Sequence, residues 1–205
     1  MESSVFLTCG DLRLEALVHH GGSKAAVLCH PHPIYGGNMW NNVIEAAASA
    51  LWDLDWSTLR FNFRGVGRSQ GRTGEGQEEP LDVMAAFEMV ERTLNIPPSR
   101  SILVGYSFGA WVGLRALREM ASVMGWVAIS PPIAAWDFTF VGALKGRRII
   151  ISGDRDQFCP LDRLSQWVES LEGPKDIAII HGADHFFWGH EEKLREELLE
   201  RLRDW

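Results

Sequence analysis

Short, mostly apolar runs alternate with helix-like stretches almost from one end of this chain to the other, and that rhythm constrains the fold more than any other feature. Ala25–Cys29, Ile102–Gly105, Gly125–Ile129, Arg148–Ser152 and Ile177–Ile180 read as strands. Asn42–Leu51, Leu81–Leu94, Ala110–Met120, Leu161–Leu171 and Glu191–Arg203 read as helices between or after them. Strands buried on both faces lose the polar-apolar alternation of a half-exposed sheet, so the pattern predicts a mainly parallel sheet covered by helices on both sides. Val5–Cys9 and Leu12–Val18, joined at Gly10-Asp11, read as a hairpin at a mixed edge. Ser57–Phe63 supplies a further strand, and a polar glycine-rich loop, Gln70–Glu79, precedes the second helix. With 205 residues and no linker, repeat or low-complexity tract, the expectation is a single α/β domain over residues 1–205.

Composition narrows the function classes. A net charge of −7, with no concentrated basic face, argues against a nucleic-acid partner. No run approaches the roughly 20 apolar residues of a membrane span, and Met1-Glu2-Ser3-Ser4 lacks the basic head of a secretory signal. Cys9, Cys29 and Cys159 are odd in number and scattered, which suits reduced thiols in a cytoplasmic protein. In the last helix Glu191 with Arg195, and Glu197 with Arg201, are spaced to pair across one turn. Nine tryptophans leave room for an exposed apolar patch that would serve as a homodimer face.

In sheets of this kind functional groups collect on loops beyond the carboxyl ends of the strands. Four such loops carry chemistry. Gly105-Tyr106-Ser107-Phe108-Gly109 lies between a strand and a helix, the setting in which a tight turn lifts a serine hydroxyl clear as a nucleophile. Serine needs a base, and His185, in His181-Gly182-Ala183-Asp184-His185-Phe186-Phe187, follows the final strand just before the last helix. His181 is the runner-up, set back against the strand end. An acid must orient the imidazole. The loop Gly153-Asp154-Arg155-Asp156 offers Asp156, with Asp154 as competitor; Asp154 is better suited to loop capping or an ion pair with Arg155.

The fourth loop is Cys29-His30-Pro31-His32-Pro33-Ile34-Tyr35-Gly36-Gly37-Asn38. Its paired histidines lack a third ligand, so no metal is expected. An oxyanion hole would take one amide from Phe108 and one from this loop. Pro31 and Pro33 have no N–H, which favours His32 and leaves Ile34 or Tyr35 as alternatives. The G-x-G at Gly65-Val66-Gly67 has its third glycine misplaced, no acid at the expected distance and no helix starting directly after it, so it does not read as a dinucleotide site.

Together these segments resemble the α/β-hydrolase superfamily over nearly the whole chain. GYSFG is similar to its nucleophile elbow, and the order Ser107, Asp156, His185 is that of the family. Asn62-Phe63-Arg64-Gly65-Val66-Gly67-Arg68-Ser69 is similar to its D-x-R-G-x-G-x-S loop, with Asn62 in place of Asp. Gly153 to Pro160 is similar to its acid loop, G-x-x-D-x-x-V-P, with Cys159 for Val, and this again puts the acid at Asp156. HPHPIYGGNMWNN and GADHFFWGH resemble a small, lidless, dienelactone-hydrolase-like subgroup of serine hydrolases and esterases. Dienelactone hydrolases proper use cysteine, so Ser107 departs from them and their substrate does not carry over.

The resemblance implies an eight-stranded sheet with the second strand antiparallel, and no cap domain, because Ser130–Gly146 is too short to hold one. It also implies an open cleft, walled by Tyr35, Trp136, Phe158 and Phe186. The expected activity is hydrolysis of small carboxylic esters, without a cofactor, with thioester, lactone or amide cleavage as alternatives on the same groups. A non-catalytic ligand- or partner-binding protein is the reading from another class.

Overall fold

The computed structural model describes residues 1–120 and 123–205. In chain order it forms β1 (Glu2–Cys9), β2 (Leu12–His19), β3 (Ala25–Cys29), α1 (Asn42–Asp53), β4 (Ser57–Phe61), α2 (Glu79–Leu94) and β5 (Ser101–Tyr106). Then follow α3 (Phe108–Leu117), β6 (Gly125–Ile129), β7 (Arg147–Gly153), α4 (Leu161–Ser170), β8 (Asp176–Ile180) and α5 (Glu191–Leu202). All eight strands join one sheet in the order β1-β2-β4-β3-β5-β6-β7-β8. β2 runs antiparallel to β1 and β4, and every other pairing is parallel. The sheet therefore has the strand number and the single reversed strand that the resemblance implies.

Why β3, β5 and β6 read as largely apolar runs is now visible, and β4 is as buried as they are despite Ser57, Thr58 and Arg60. Every residue of β3, β4, β5 and β6 is buried, because successive side chains enter opposite cores. In β5, Leu103 joins the core under α2 and α3 with Val83, Phe87 and Val112. Its neighbours Ile102 and Val104 join the core under α1 and α5 with Ile44, Leu51, Leu194 and Leu198. β8 is an edge strand with one face in water, and its burial alternates accordingly.

Two arginines lie inside this frame. Arg60, in β4, has its guanidinium on Glu2 and donates to the Met39 carbonyl at 3.0 Å. Arg64 donates from its backbone N–H and its guanidinium to Asp82, which is fully buried on α2. Such charges are tolerable in a core only when every donor has an acceptor. Glu79 opens α2 two residues earlier than the apolar pattern predicts, because its carboxylate turns back to accept from the Gly74 and Gly76 amides at 2.7 and 2.8 Å.

Between β6 and β7 the chain makes turns and one 3-10 segment, Thr139–Ala143, so no cap domain covers the carboxyl ends of the strands. On α5 the Glu197–Arg201 pair forms as spaced. Arg195, however, pairs with Glu192 and Asp53 rather than Glu191. α5 packs along α1, which offers Asn42 to Glu191 at 2.9 Å and Asp53 to Arg195. No helix of the described residues is long and apolar enough to cross a membrane.

Candidate active site

Ser107 sits between β5 and α3 with φ 53° and ψ −117°, a conformation that costs a non-glycine residue about 1–3 kcal/mol. Its own N–H donates to the Ile129 carbonyl at 2.9 Å, tying the turn to β6. α3 begins at Phe108, two residues before the pattern suggested, so the turn has no slack. The flanking glycines follow from this. A Cβ on Gly105 would stand 2.5 Å from Ala110 Cα, and one on Gly109 would stand 2.1 Å from the Cys29 carbonyl oxygen. Both contacts are far inside van der Waals distance. Helix, elbow and β3 can pack this closely only without those side chains.

His185 Nε2 lies 2.9 Å from Ser107 Oγ, and its Nδ1 lies 3.0 and 2.9 Å from the two Asp156 oxygens. Asp156 Oδ1 also accepts from the Phe158 and Cys159 amides at 2.8 and 3.0 Å. The three side-chain-bearing residues are 7% (Ser107), 4% (Asp156) and 6% (His185) exposed, so the chain of hydrogen bonds is shielded yet reachable from the cleft. Burial pushes the Asp156 carboxyl upward, but the His185 imidazole and the Phe158 amide outweigh it and leave the group below the usual carboxylate range. An ionised acceptor at Nδ1 puts the imidazole proton there and leaves Nε2 bare toward the serine hydroxyl.

The competitors go elsewhere. Asp154 accepts from the Gly182 amide at 2.7 Å and pairs with His181. In place of the ion pair with Arg155 expected from their adjacency, Asp154 contacts the Gly182 amide and the His181 ring, because the turn after β8 folds back over the end of β7. Tyr106, passed over in the sequence, donates its hydroxyl to the His185 carbonyl at 2.7 Å from a buried position. A tyrosine in an otherwise apolar strand needs such an acceptor, and that was the available signal.

The β3 loop is held by its histidines. His30 is fully buried, with Nδ1 at 2.7 Å from the Pro31 carbonyl and Nε2 accepting from the Phe63 amide at 3.1 Å. Both ring nitrogens are spent on backbone, in a neutral tautomer. His32 Nδ1 accepts from the Ile34 amide at 3.2 Å, and its carbonyl accepts from the Tyr35 and Gly37 amides, each at 3.1 Å. Ile34 and Tyr35 have therefore committed the N–H groups that made them alternatives to His32. The Phe108 N–H opens α3 and has no carbonyl one turn behind it. Asn62 links this loop to β2, with Oδ1 accepting from Met39 N–H at 2.8 Å and Nδ2 donating to Glu15 at 2.9 Å. An aspartate here would oppose Glu15, which accounts for the amide in place of the family's acid.

Burial pushes the His30 imidazole down to about 4 from 6.5. The sign follows directly. Between those pH values the unfolded chain takes up a proton that the folded chain refuses, so stability falls as pH drops from about 6.5 and levels below about 4. The loss is on the order of 3 kcal/mol. Chemical denaturation across pH 7 to 4 should show this slope, and His30→Gln should flatten it; an unchanged slope would refute the assignment.

A cleft of about 240 Å³ opens over Ser107. Tyr35, Trp136, Phe158 and Phe186 all line it, with His32, His185, Pro132 and Ala135. Trp136 stacks on Trp111 at 4.9 Å, and Phe158 and Phe186 stand 4.7 and 5.7 Å from the His185 ring. Among the described residues no group of three or more His, Cys, Asp or Glu side chains is gathered closely enough to hold a metal ion.

A family model described as an alpha/beta hydrolase domain matches residues 24–202, and the chain belongs to that family. Its fold and relatives place it among hydrolases. An alpha-beta serine hydrolase homologue from Coxiella burnetii superposes with a TM-score of 0.90 at 31% identity, covering 98% of this chain and 97% of that one. A serine hydrolase without a lid from Xanthomonas campestris gives a TM-score of 0.90 at 30% identity, covering 100% of this chain and 94% of that one. An uncharacterized protein from Rickettsia prowazekii is 37% identical over 171 residues, 79% of this chain and 71% of its own length.

Proposed function

We propose that the protein is a serine hydrolase of small carboxylic esters, with Ser107 as nucleophile, His185 as general base and acid, and Asp156 as the group that orients it. The reading rests on one observation, the continuous hydrogen-bonded chain from Ser107 Oγ through His185 to Asp156. Ser107 Oγ attacks the ester carbonyl carbon and passes its proton to His185 Nε2. The carbonyl oxygen becomes an oxyanion, held by the Phe108 and His32 amides. The C–O bond to the alcohol then breaks, and His185 returns the proton to the leaving oxygen. Water attacks the acyl-enzyme, gives a proton to His185, and the collapsing intermediate releases the carboxylic acid as Ser107 Oγ is reprotonated.

Two similar structures, a serine hydrolase homologue and a serine hydrolase without a lid, support the same reading. The test is labelling of the intact protein with a fluorophosphonate probe, followed by peptide mapping and p-nitrophenyl butyrate turnover. The expected result is a single adduct at Ser107 together with loss of turnover. Folded protein that neither labels nor turns over esters would instead favour a binding role.

A further inference from the structure

We propose that the cleft sorts an ester by side: Trp136 bounds the acyl group, Phe158 and Phe186 hold the leaving alcohol, and both halves are uncharged and apolar. The inference rests on the serine-hydrolase reading and adds the substrate class. Direction comes first. His185 must deliver its proton to the leaving oxygen, so the alcohol lies on the His185 side of the carbonyl carbon. The oxyanion lies toward the Phe108 and His32 amides, and the acyl chain takes the remaining tetrahedral direction. Phe158 and Phe186 are the exposed cleft-wall rings that flank His185, at 4.7 and 5.7 Å, while the third ring beside it, Tyr106 at 5.6 Å, is buried with its hydroxyl spent on the His185 carbonyl. Trp136 keeps instead to His32 and Phe108, the residues whose amides face the oxyanion, at 6.0 and 5.7 Å.

The two walls also differ in firmness. Trp136 is stacked on Trp111, whose indole N–H donates to the Asp137 carbonyl at 3.1 Å, so the loop carrying Trp136 is fastened to α3. Phe158 and Phe186 are 37% and 43% exposed and open to solvent. A bounded acyl side and an open alcohol side follow. Charge supplies the second criterion. Among the described residues lining the cleft none is Asp, Glu, Lys or Arg. A carboxylate on the acyl half would lose hydration, and on either half it would find no Lys or Arg side chain in the cleft.

The experiment measures kcat/KM ratios in the full-length protein. In Phe158→Ala and Phe186→Ala the preference for 1-naphthyl over ethyl acetate should fall about five- to tenfold, while the p-nitrophenyl hexanoate to acetate ratio stays as in wild type. In Trp136→Ala the hexanoate to acetate ratio should rise about tenfold and the naphthyl to ethyl ratio should hold. Wild-type enzyme should cleave monophenyl adipate at least about tenfold less well than phenyl hexanoate, and 4-carboxyphenyl acetate less well than phenyl acetate despite its better leaving group. Fluorophosphonate labelling at Ser107 certifies that each variant is folded, and Trp136→Phe repeats the acyl test with a smaller loss of packing. Ratios that move together in all variants, or anionic esters cleaved as well as neutral ones, overturn the sorting alone. A wild-type protein that neither labels nor turns over removes the underlying reading as well.

Discussion

Replacing Ser107 with Ala is expected to lower kcat/KM for p-nitrophenyl butyrate by about 10⁵-fold or more, with the fold intact. The size follows from the proposed chemistry. Without Oγ no acyl-enzyme can form, and the Phe108 and His32 amides are left to stabilise direct attack by water, which is a small residue of the whole. The change removes one hydroxyl that bonds His185 at 2.9 Å and leaves the backbone at φ 53° untouched. Alanine tolerates that conformation no better and no worse than serine, so thermal unfolding should shift little. Steady-state kinetics beside circular dichroism checks the pair of outcomes. Ester turnover within tenfold of wild type would mean another group performs the attack.

Asp156→Asn should lower kcat by about 10³- to 10⁴-fold, whereas Asp154→Asn should leave it within about twofold. The distinction is geometric. The Phe158 and Cys159 amides both donate to Asp156 Oδ1, so an asparagine must keep its oxygen there. Its NH₂ then occupies the Oδ2 position, 2.9 Å from His185 Nδ1. A donor facing Nδ1 drives the imidazole proton to Nε2, which can no longer accept from Ser107. Asp154 serves Gly182 and His181 at the surface and touches neither partner. Equal losses from the two variants would refute this division of labour. The depressed Asp156 carboxyl adds a pH corollary. Its contribution to stability is present above the ordinary carboxylate range and fades as pH falls through the folded value.

Much of this site was readable before any coordinates, and for identifiable reasons. The strand, elbow and helix around Ser107 are local: glycines at 105 and 109 announce a backbone approach that no side chain permits. The same local logic missed the early start of α2, because Glu79 caps amides in its own preceding loop rather than following the apolar period. It also set Arg195 against Glu191, since spacing along one helix is visible and the neighbouring helix is not. Asn62 stood out as a departure, but its reason, Glu15 across the turn, lies 47 positions away.

The order of strands and helices, the wholly buried central sheet and the elbow were determined by the chain itself, since each depends on neighbouring residues, on side-chain period and on backbone sterics. Local sequence already favours Asp156 over Asp154 and His185 over His181; only the tertiary structure decided the distances that join them to Ser107, and that His30 spends one nitrogen on its own loop and the other on the Phe63 amide beyond β4. Those outcomes turn on distances of a few ångströms between loops that close 29 to 78 residues apart. Hydrogen-bond geometry fades within an ångström, while the register that sets it belongs to the packed sheet as a whole.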